Sequence, residues 1–378
     1  MNREEALQQF FIEHGDTLVG KAKKDLYENL KQRKDEFSAK LSEGVNRLAD
    51  RFTIKGSDVK FAFIQISYLK TSVIDGTYVW YVEAQDNRGS LDLADRHVTI
   101  ELKSFFEPLE QLRQELIQKS YAYNGMVTEF DIEQTLCKVF DFFVPMFFYL
   151  GCYAMEDVTE SEGYQKLLKE RLFRIVFGEY KGKGSILHIT NENMEKDEAF
   201  WNDLFSPVKE NGFTDRAFSY QDYRGMVFRE ECIAYKNLRY SNLKGVCMEE
   251  QHVTACNLMG ANCKDMVIRE CNLNFNVCID ADFRGAQISD TTFWSCRFED
   301  GTLTDEIPTP GVGGVRFDGA VLTRVNFTQS CLRGAHFEHA TLDDVTFPDA
   351  DLTDAVFSKE MEQTLLLTKE QRSVVHFV

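Results

Sequence analysis

Apolar residues in the first fifty positions recur at three- and four-residue steps: Val19, Ala22, Leu26, Leu30, Phe37, Leu41, Val45 and Leu48. That spacing predicts amphipathic helices over residues 2–50, with Gly15 and Asp16 dividing a short one from a long one. The pattern then changes period. Val59–Ile66 is rich in β-branched and aromatic residues, Asp75-Gly76 is a hairpin signal, and Thr77–Val82 is the return strand. Asn87-Arg88-Gly89 offers a second turn before a strand at His97–Leu102, so an antiparallel meander is expected. Helical periodicity resumes at about 104–121, 130–155 and 160–171. A β pair, Leu172–Gly178 and Ser185–Ile189, brackets the turn Lys181-Gly182-Lys183-Gly184, and Asn191–Leu204 reads as a short helix. Residues 1–212 are therefore expected to form an α+β domain with one small sheet.

From residue 213 neither helix nor strand period applies. Every fifth residue from Phe218 to Leu303 is apolar or aromatic, and the beat resumes at Phe317 and runs to Phe357. That is 18 positions and then 9 without a miss. Two places before the apolar centre a small residue recurs, as at Cys256, Ala261, Cys271, Ala281, Ala286, Ala320, Ala335, Ala340 and Ala355. A short fixed period marks a solenoid whose units stack only on their neighbours. Stretches such as Ala281-Asp282-Phe283-Arg284-Gly285 and Ala350-Asp351-Leu352-Thr353-Asp354 match the motif A(D/N)LXX, and in this residues 213–358 resemble the pentapeptide-repeat family.

The resemblance implies a right-handed quadrilateral parallel β-helix, four pentapeptides to a coil, with the centre and the small residue pointing inward and the other three positions free to vary. At the usual strand spacing, nearly seven coils give a rod of roughly 33 Å. Gln221, Glu231 and Lys236 break the small-residue rule, so the first coils are expected to be distorted or shielded by the preceding domain. Between Leu303 and Phe317 the beat is interrupted, and Pro308, Pro310 and Gly311 mark residues 304–314 as a projecting loop. Residues 359–378 carry Leu365, Leu366, Leu367, Val374, Val375, Phe377 and Val378, which suits a cap over the last coil or a dimerisation tail.

Composition narrows the chemistry. The 378 residues carry a formal net charge of −18, spread over both parts, which disfavours direct binding to nucleic acid or an anionic membrane. The most apolar stretch, Val139–Met155, is interrupted by Asp141 and Pro145 and reads as buried helix rather than a span. The start Met1-Asn2-Arg3-Glu4-Glu5 is not a secretion signal, and ten cysteines beside it suggest reduced thiols in a cytoplasmic protein. No CxxC pair occurs, and His14, His97 and His188 fit no metal-ligand spacing, so neither metal nor cofactor is expected. The aromatic run Phe140, Phe142, Phe143, Phe147, Phe148, Tyr149 reads as core, with a ligand pocket as the alternative.

With no catalytic constellation in view, the expected function is a non-catalytic protein–protein interaction scaffold. The candidate partner-binding residues are Asp305, Glu306, Ile307, Pro308 and Pro310 in the loop, and Asp343, Asp344, Asp349, Asp351 and Asp354, which read as the motif's own exposed aspartates or, alternatively, as a negative stripe at the rod's C-terminal end. The resemblance implies an alternative: some pentapeptide-repeat proteins mimic DNA, bind DNA gyrase and protect it from quinolones, as dimers joined at their C-terminal ends. A second alternative places a small-ligand or enzymatic site in residues 1–212.

Overall fold

The computed structural model describes residues 2–52, 59–88, 95–192, 195–205, 218–229, 232–304 and 307–378. They form two compact units, Met1–Asn191 with Leu303–Thr309, and Glu192–Thr302 with Pro310–Val378. Among the described residues no single helix is long and apolar enough to cross a membrane.

The first unit opens with three helices, α1 (Arg3–Phe10), α2 (Asp16–Gln32) and α3 (Lys34–Phe52). Asn2 starts α1 with a capping box, its side chain accepting from the Glu5 N–H while the Glu5 carboxylate accepts from the Asn2 N–H. The strands are β1 (Phe61–Tyr68), β2 (Val79–Gln85), β3 (His97–Glu101), β4 (Lys169–Glu179) and β5 (Gly184–Asn191). They make one mixed sheet in the order β3-β2-β1-β4-β5, in which only β1 and β4 run parallel. The expected meander and the later β pair are thus halves of one sheet. Asp75-Gly76 does not close a two-residue hairpin. A helical turn, α4 (Lys70–Ile74), stands between β1 and β2, and Asp75 accepts from the Thr77 N–H and hydroxyl. Lys181–Gly184 is the expected hairpin turn, with Lys181 at a φ of 59°.

Between the two halves of the sheet run α5 (Glu107–Ser120), α6 (Glu129–Phe142), α7 (Val144–Tyr153), α8 (Met155–Glu160) and α9 (Glu162–Lys166). The long apolar stretch is two helices broken at Phe143, where Pro145 removes a backbone donor from the first turn of α7. Trp80 is the hub of the core. Its ring lies 5.7 Å from Phe37, 5.5 Å from Phe147 and 5.3 Å from Phe177. Helix α3 comes so close to the sheet that a Cβ on Gly44 would stand 2.8 Å from Ile100.

Burial among Tyr164 and its neighbours, with the Lys169 charge adding, pushes the His188 imidazole down to about 4. The folded state therefore holds a neutral ring that the unfolded chain protonates below its ordinary value near 6.5. Stability is whole above that value and is lost as the pH falls from there toward 4. Urea unfolding at pH 4.5 against pH 7 should show about 2 kcal/mol lost through this group. His188→Gln should remove that part of the pH dependence, and an unchanged profile would refute it.

The second unit opens with α10 (Glu198–Leu204), which buries Phe200 and Leu204 in the same core as Phe218, Tyr223 and Phe228. Phe200 stands 5.1 Å from Phe218, and Trp201 6.4 Å from Tyr223. The boundary expected at 212 therefore falls earlier, at Asn191, because this helix caps the open end of the solenoid. It also accounts for Lys236, which occupies a small-residue slot: its ammonium lies 3.9 Å from Asp203 on the cap and 5.3 Å from the Phe218 ring.

The solenoid advances one coil in 20 residues, Cys247 pairing with Val267 and Val267 with Gln287 in parallel register. One face is a six-stranded parallel sheet and another a four-stranded one; the remaining two are joined mainly by single bridges, such as Asp222–Asn242–Asn262–Asp282 and Asn237–Asn257–Val277–Arg297. The predicted centres point inward. Phe283, Phe317, Phe337 and Phe357 stack ring on ring at 5.1, 5.0 and 4.8 Å, and Phe293, Phe327 and Phe347 at 5.1 and 5.4 Å. The small slots carry their own polar bonding: Ser241 Oγ donates to the Phe218 carbonyl, Asn276 Nδ2 to Val253, and Ser330 Oγ to Phe293. Burial pushes the thiols of Cys256 and Cys296 up to about 12 and Cys263 and Cys278 further up, so all four stay protonated.

Two expectations change here. Leu303 keeps the five-residue interval but has left the coil. It makes an antiparallel bridge to Pro308, and Phe317 rather than Leu303 takes the rung after Phe283. The inserted segment therefore follows Phe298. The outward positions are also not equally free. The second residue after most centres turns the corner of the square with positive φ, as at Tyr235, Tyr240, Glu250, Ala255, Phe275, Asp290 and Asp344. Glycine and aspartate recur there because they tolerate the left-handed region.

At the far end the chain adds a final rung, His376–Phe377, parallel to Val356–Phe357. Helix α11 (Lys369–Val374) precedes it, and Gln371 Nε2 donates to the carbonyls of Phe347 and Ala350. Leu365 is buried in the solenoid core, with Leu367, Val375 and Phe377 packed beside it.

Candidate interaction surface

Of the predicted loop residues, Asp305 and Glu306 lie outside the described residues. Ile307 is 52% exposed and Pro308 is buried. Thr304 Oγ1 bonds both the N–H and the carbonyl of Ile307. Beyond Pro310, which is partly buried, the segment does not project: Gly311–Val315 is buried. The Asp280 carboxylate accepts from the N–H groups of Val312 and Gly313 at 2.9 Å, tying this stretch to a corner of the solenoid. Gly314, at a φ of 68°, has the Gly334 carbonyl 2.3 Å from where a Cβ would be, so only glycine fits. Among the described residues of 304–314, the exposed ones are Thr304 and Ile307.

The five predicted acids do not line one face. Asp344, Asp349 and Asp354 occupy three successive corners of one coil, at φ values of 52°, 54° and 59°, and so encircle it. Asp343 ends a strand on one face, while Asp351 sits on another, paired with Cys331. Two already have partners. Asp351 accepts from the Thr353 N–H and hydroxyl, and Asp354 lies 3.2 Å from His376. Five residues is a quarter of a coil, and that interval spreads the acids around the axis.

Columns spaced by one coil do line the faces. One reads Arg224, Lys244, Lys264, Arg284, each two residues past the register positions 222, 242, 262 and 282. Asp222 holds Arg224 at 2.6 Å, and Asp282 collects Lys264 at 3.4 Å, Arg284 at 2.7 Å and Arg316 at 2.7 Å. Burial raises the Asp282 carboxyl, but the Arg284 and Arg316 guanidinium groups outweigh it and leave it below the usual carboxylate range. On the six-stranded face, Arg229, Glu249 and Arg269 alternate in sign, with N–O distances of 2.9 and 3.8 Å. The surface is therefore of mixed sign despite the net charge.

Aromatic side chains stand out on it. Phe275 is 49% and Trp294 40% exposed, with ring centroids 4.7 Å apart. Trp294 Nε1 donates to Gln329 Oε1 at 2.9 Å, which fixes the indole against the rod. Phe275 keeps its bulky side chain at a corner φ of 57°, where such residues are disfavoured. The five-residue beat hides this pair, because it records only the inside. Coil register would have exposed it: residue 275 lies at a corner, and 294, the register partner of Asn274, is its neighbour one rung on.

The first unit holds one further candidate, a cavity of about 420 Å³ lined by Tyr68, Val144, Pro145, Phe148, Tyr149 and Phe177, with Glu179 and Lys183 at its polar side. Phe148 and Tyr149 of the aromatic run reach it, whereas Phe140, Phe143 and Phe147 are buried in the core.

Residues 314–358 match the family model for pentapeptide repeats, in 8 copies. No curated protein matches the chain. Among solved structures, a pentapeptide-repeat protein, Rfr23, from the cyanobacterium Cyanothece 51142 is 10% identical over 35% of this chain and 90% of its own, with a TM-score of 0.21. QnrB1, a plasmid-mediated fluoroquinolone resistance protein, is 15% identical over 36% of this chain and 79% of its own, with a TM-score of 0.18. HetL from the cyanobacterium Nostoc sp. strain PCC 7120, involved in heterocyst differentiation regulation, is 16% identical over 37% and 91%, with a TM-score of 0.13.

Proposed function

We propose that this chain, whose C-terminal unit is a pentapeptide-repeat solenoid, is a non-catalytic scaffold that binds a protein partner on the outer faces of the rod. The observation that carries this reading is the exposed Phe275–Trp294 pair, its indole held by Gln329. Aromatic anchors ringed by polar groups are the usual centres of protein interfaces. The buried, protonated thiols take no part in it, and ten free cysteines suit a reducing cytoplasm.

The test is affinity purification after cross-linking, with wild type beside Phe275→Ala/Trp294→Ala. A partner captured by wild type and lost with the double variant supports the reading. Identical captured sets would overturn it.

DNA mimicry toward DNA gyrase would call for a continuous acidic face. The encircling arrangement of Asp344, Asp349 and Asp354, and the column Arg224–Arg284, favour a general protein partner instead. In a gyrase supercoiling reaction, micromolar protein is expected to leave both supercoiling and its inhibition by a fluoroquinolone unchanged. Protection from the drug would restore the mimicry reading. The cavity beside Tyr68 is the place where a small ligand would bind the first unit, and a thermal-shift screen of metabolites addresses it directly.

A further inference from the structure

Glu250 and Glu270 stack at corners of the solenoid and are exposed to water. Asp318 and Glu338 do not. They lie one residue before the corners at Gly319 and His339, one coil apart, each two places past the paired register positions Arg316 and His336. Coil spacing of about 4.8 Å sets one carboxylate directly against the other. Asp318 Oδ2 and Glu338 Oε2 are each closed off from solvent, and among the described residues neither accepts from a donor outside the pair. Two occluded carboxylate oxygens facing each other without a donor are unfavourable unless a cation or a shared proton lies between them.

A third group completes the arrangement. His336 and Glu338 flank the inward Phe337, so both side chains leave the same side of the strand. His336 Nδ1 lies 3.2 Å from Glu338 Oε1. One ligand atom from each of Asp318, His336 and Glu338 falls within 4.8 Å of the other two. Metal–ligand bonds of about 2.0–2.2 Å bring ligand atoms somewhat closer than that limit, a change within reach of small side-chain rotations.

We propose that Asp318, His336 and Glu338 form a binding site for a divalent transition-metal cation, which ties the first coil after the inserted segment to the next. One imidazole nitrogen with two carboxylate oxygens suits Zn²⁺, Mn²⁺, Fe²⁺ or Co²⁺ better than Mg²⁺ or Ca²⁺, which favour all-oxygen sets. The site differs from the aromatic docking surface and does not depend on it.

The test uses the full chain, stripped with chelator and then titrated calorimetrically with Zn²⁺ and, separately, with Co²⁺. Wild type is expected to bind one equivalent that Asp318→Asn/Glu338→Gln does not. The Co²⁺ spectrum should lack a thiolate charge-transfer band, which separates this site from the cysteines. The melting temperature of wild type should rise with Zn²⁺, and that of the double variant should not. If the double variant fails to fold, His336→Gln, which leaves both acids in place, should weaken Zn²⁺ about tenfold or more. Equal binding by wild type and His336→Gln, a thiolate band, or no binding by wild type would each overturn the proposal. In the last case a shared proton is what holds the two carboxylates together.

Discussion

Replacing Phe337 by alanine is expected to destabilise the solenoid by about 3–5 kcal/mol, the upper range for a single core truncation. Its ring lies 5.0 Å below Phe317 and 4.8 Å above Phe357, and meets Phe327 and Phe347 edge-on at 6.2 and 6.1 Å. Backbone pairing holds the coils above and below at their spacing, so the neighbouring rings cannot close over the gap and the cavity persists. Urea unfolding of the alanine variant beside Phe337→Leu would measure this. Leucine fills most of the slot and should cost far less. A loss under about 1 kcal/mol for alanine would mean that the column relaxes, contrary to close packing.

Removing residues 359–378 is expected to turn a well-behaved protein into an aggregating one. The tail supplies the last rung, in which the His376 N–H donates to the Ala355 carbonyl and the Val378 N–H to Phe357. It also supplies the Gln371 amide that satisfies Phe347 and Ala350, and the Leu365 side chain that closes the core. Without it the Phe357 ring and a row of unpaired backbone groups face water, the kind of edge that recruits other chains. Light scattering on the truncated protein should show large species. If the truncation instead yields a clean monomer from a wild-type dimer, the tail is the dimerisation element that the sequence also suggested.

The inward half of the solenoid was legible because its packing is strictly local in sequence: each centre meets the residues five and twenty away. The same locality explains the error at Leu303. A leucine at the right interval looks like a rung even where the backbone has turned off to bridge Pro308, and only the prolines beside it hinted at this. The parallel joining of β1 and β4 was not legible, because nothing local in Phe61–Tyr68 records a partner a hundred residues on. The role of α10 was hidden for a related reason: Phe200 and Leu204 announce a buried face without saying which core it enters. On the surface, the acids at five-residue spacing looked like a stripe until the corners scattered them, whereas Phe275 with Trp294 and Asp318 with Glu338 become neighbours only once the 20-residue register is known.

That register makes the rod a counting device. Insertion or loss of 20 residues would lengthen or shorten it by one whole coil and leave every column aligned, as the pairing of Cys247 with Val267 and Gln287 shows. A change of five residues would preserve the interior equally well, centre replacing centre, yet it would swing every downstream side chain onto the next face. Arg316 would then lose its place beside Asp282 and Trp294 its place beside Phe275. Two proteins with the same fold stability and nearly the same sequence could therefore present unrelated surfaces. The segment between Phe298 and Phe317 escapes this constraint because the chain resumes on the next column in turn, with Phe317 stacked on Phe283.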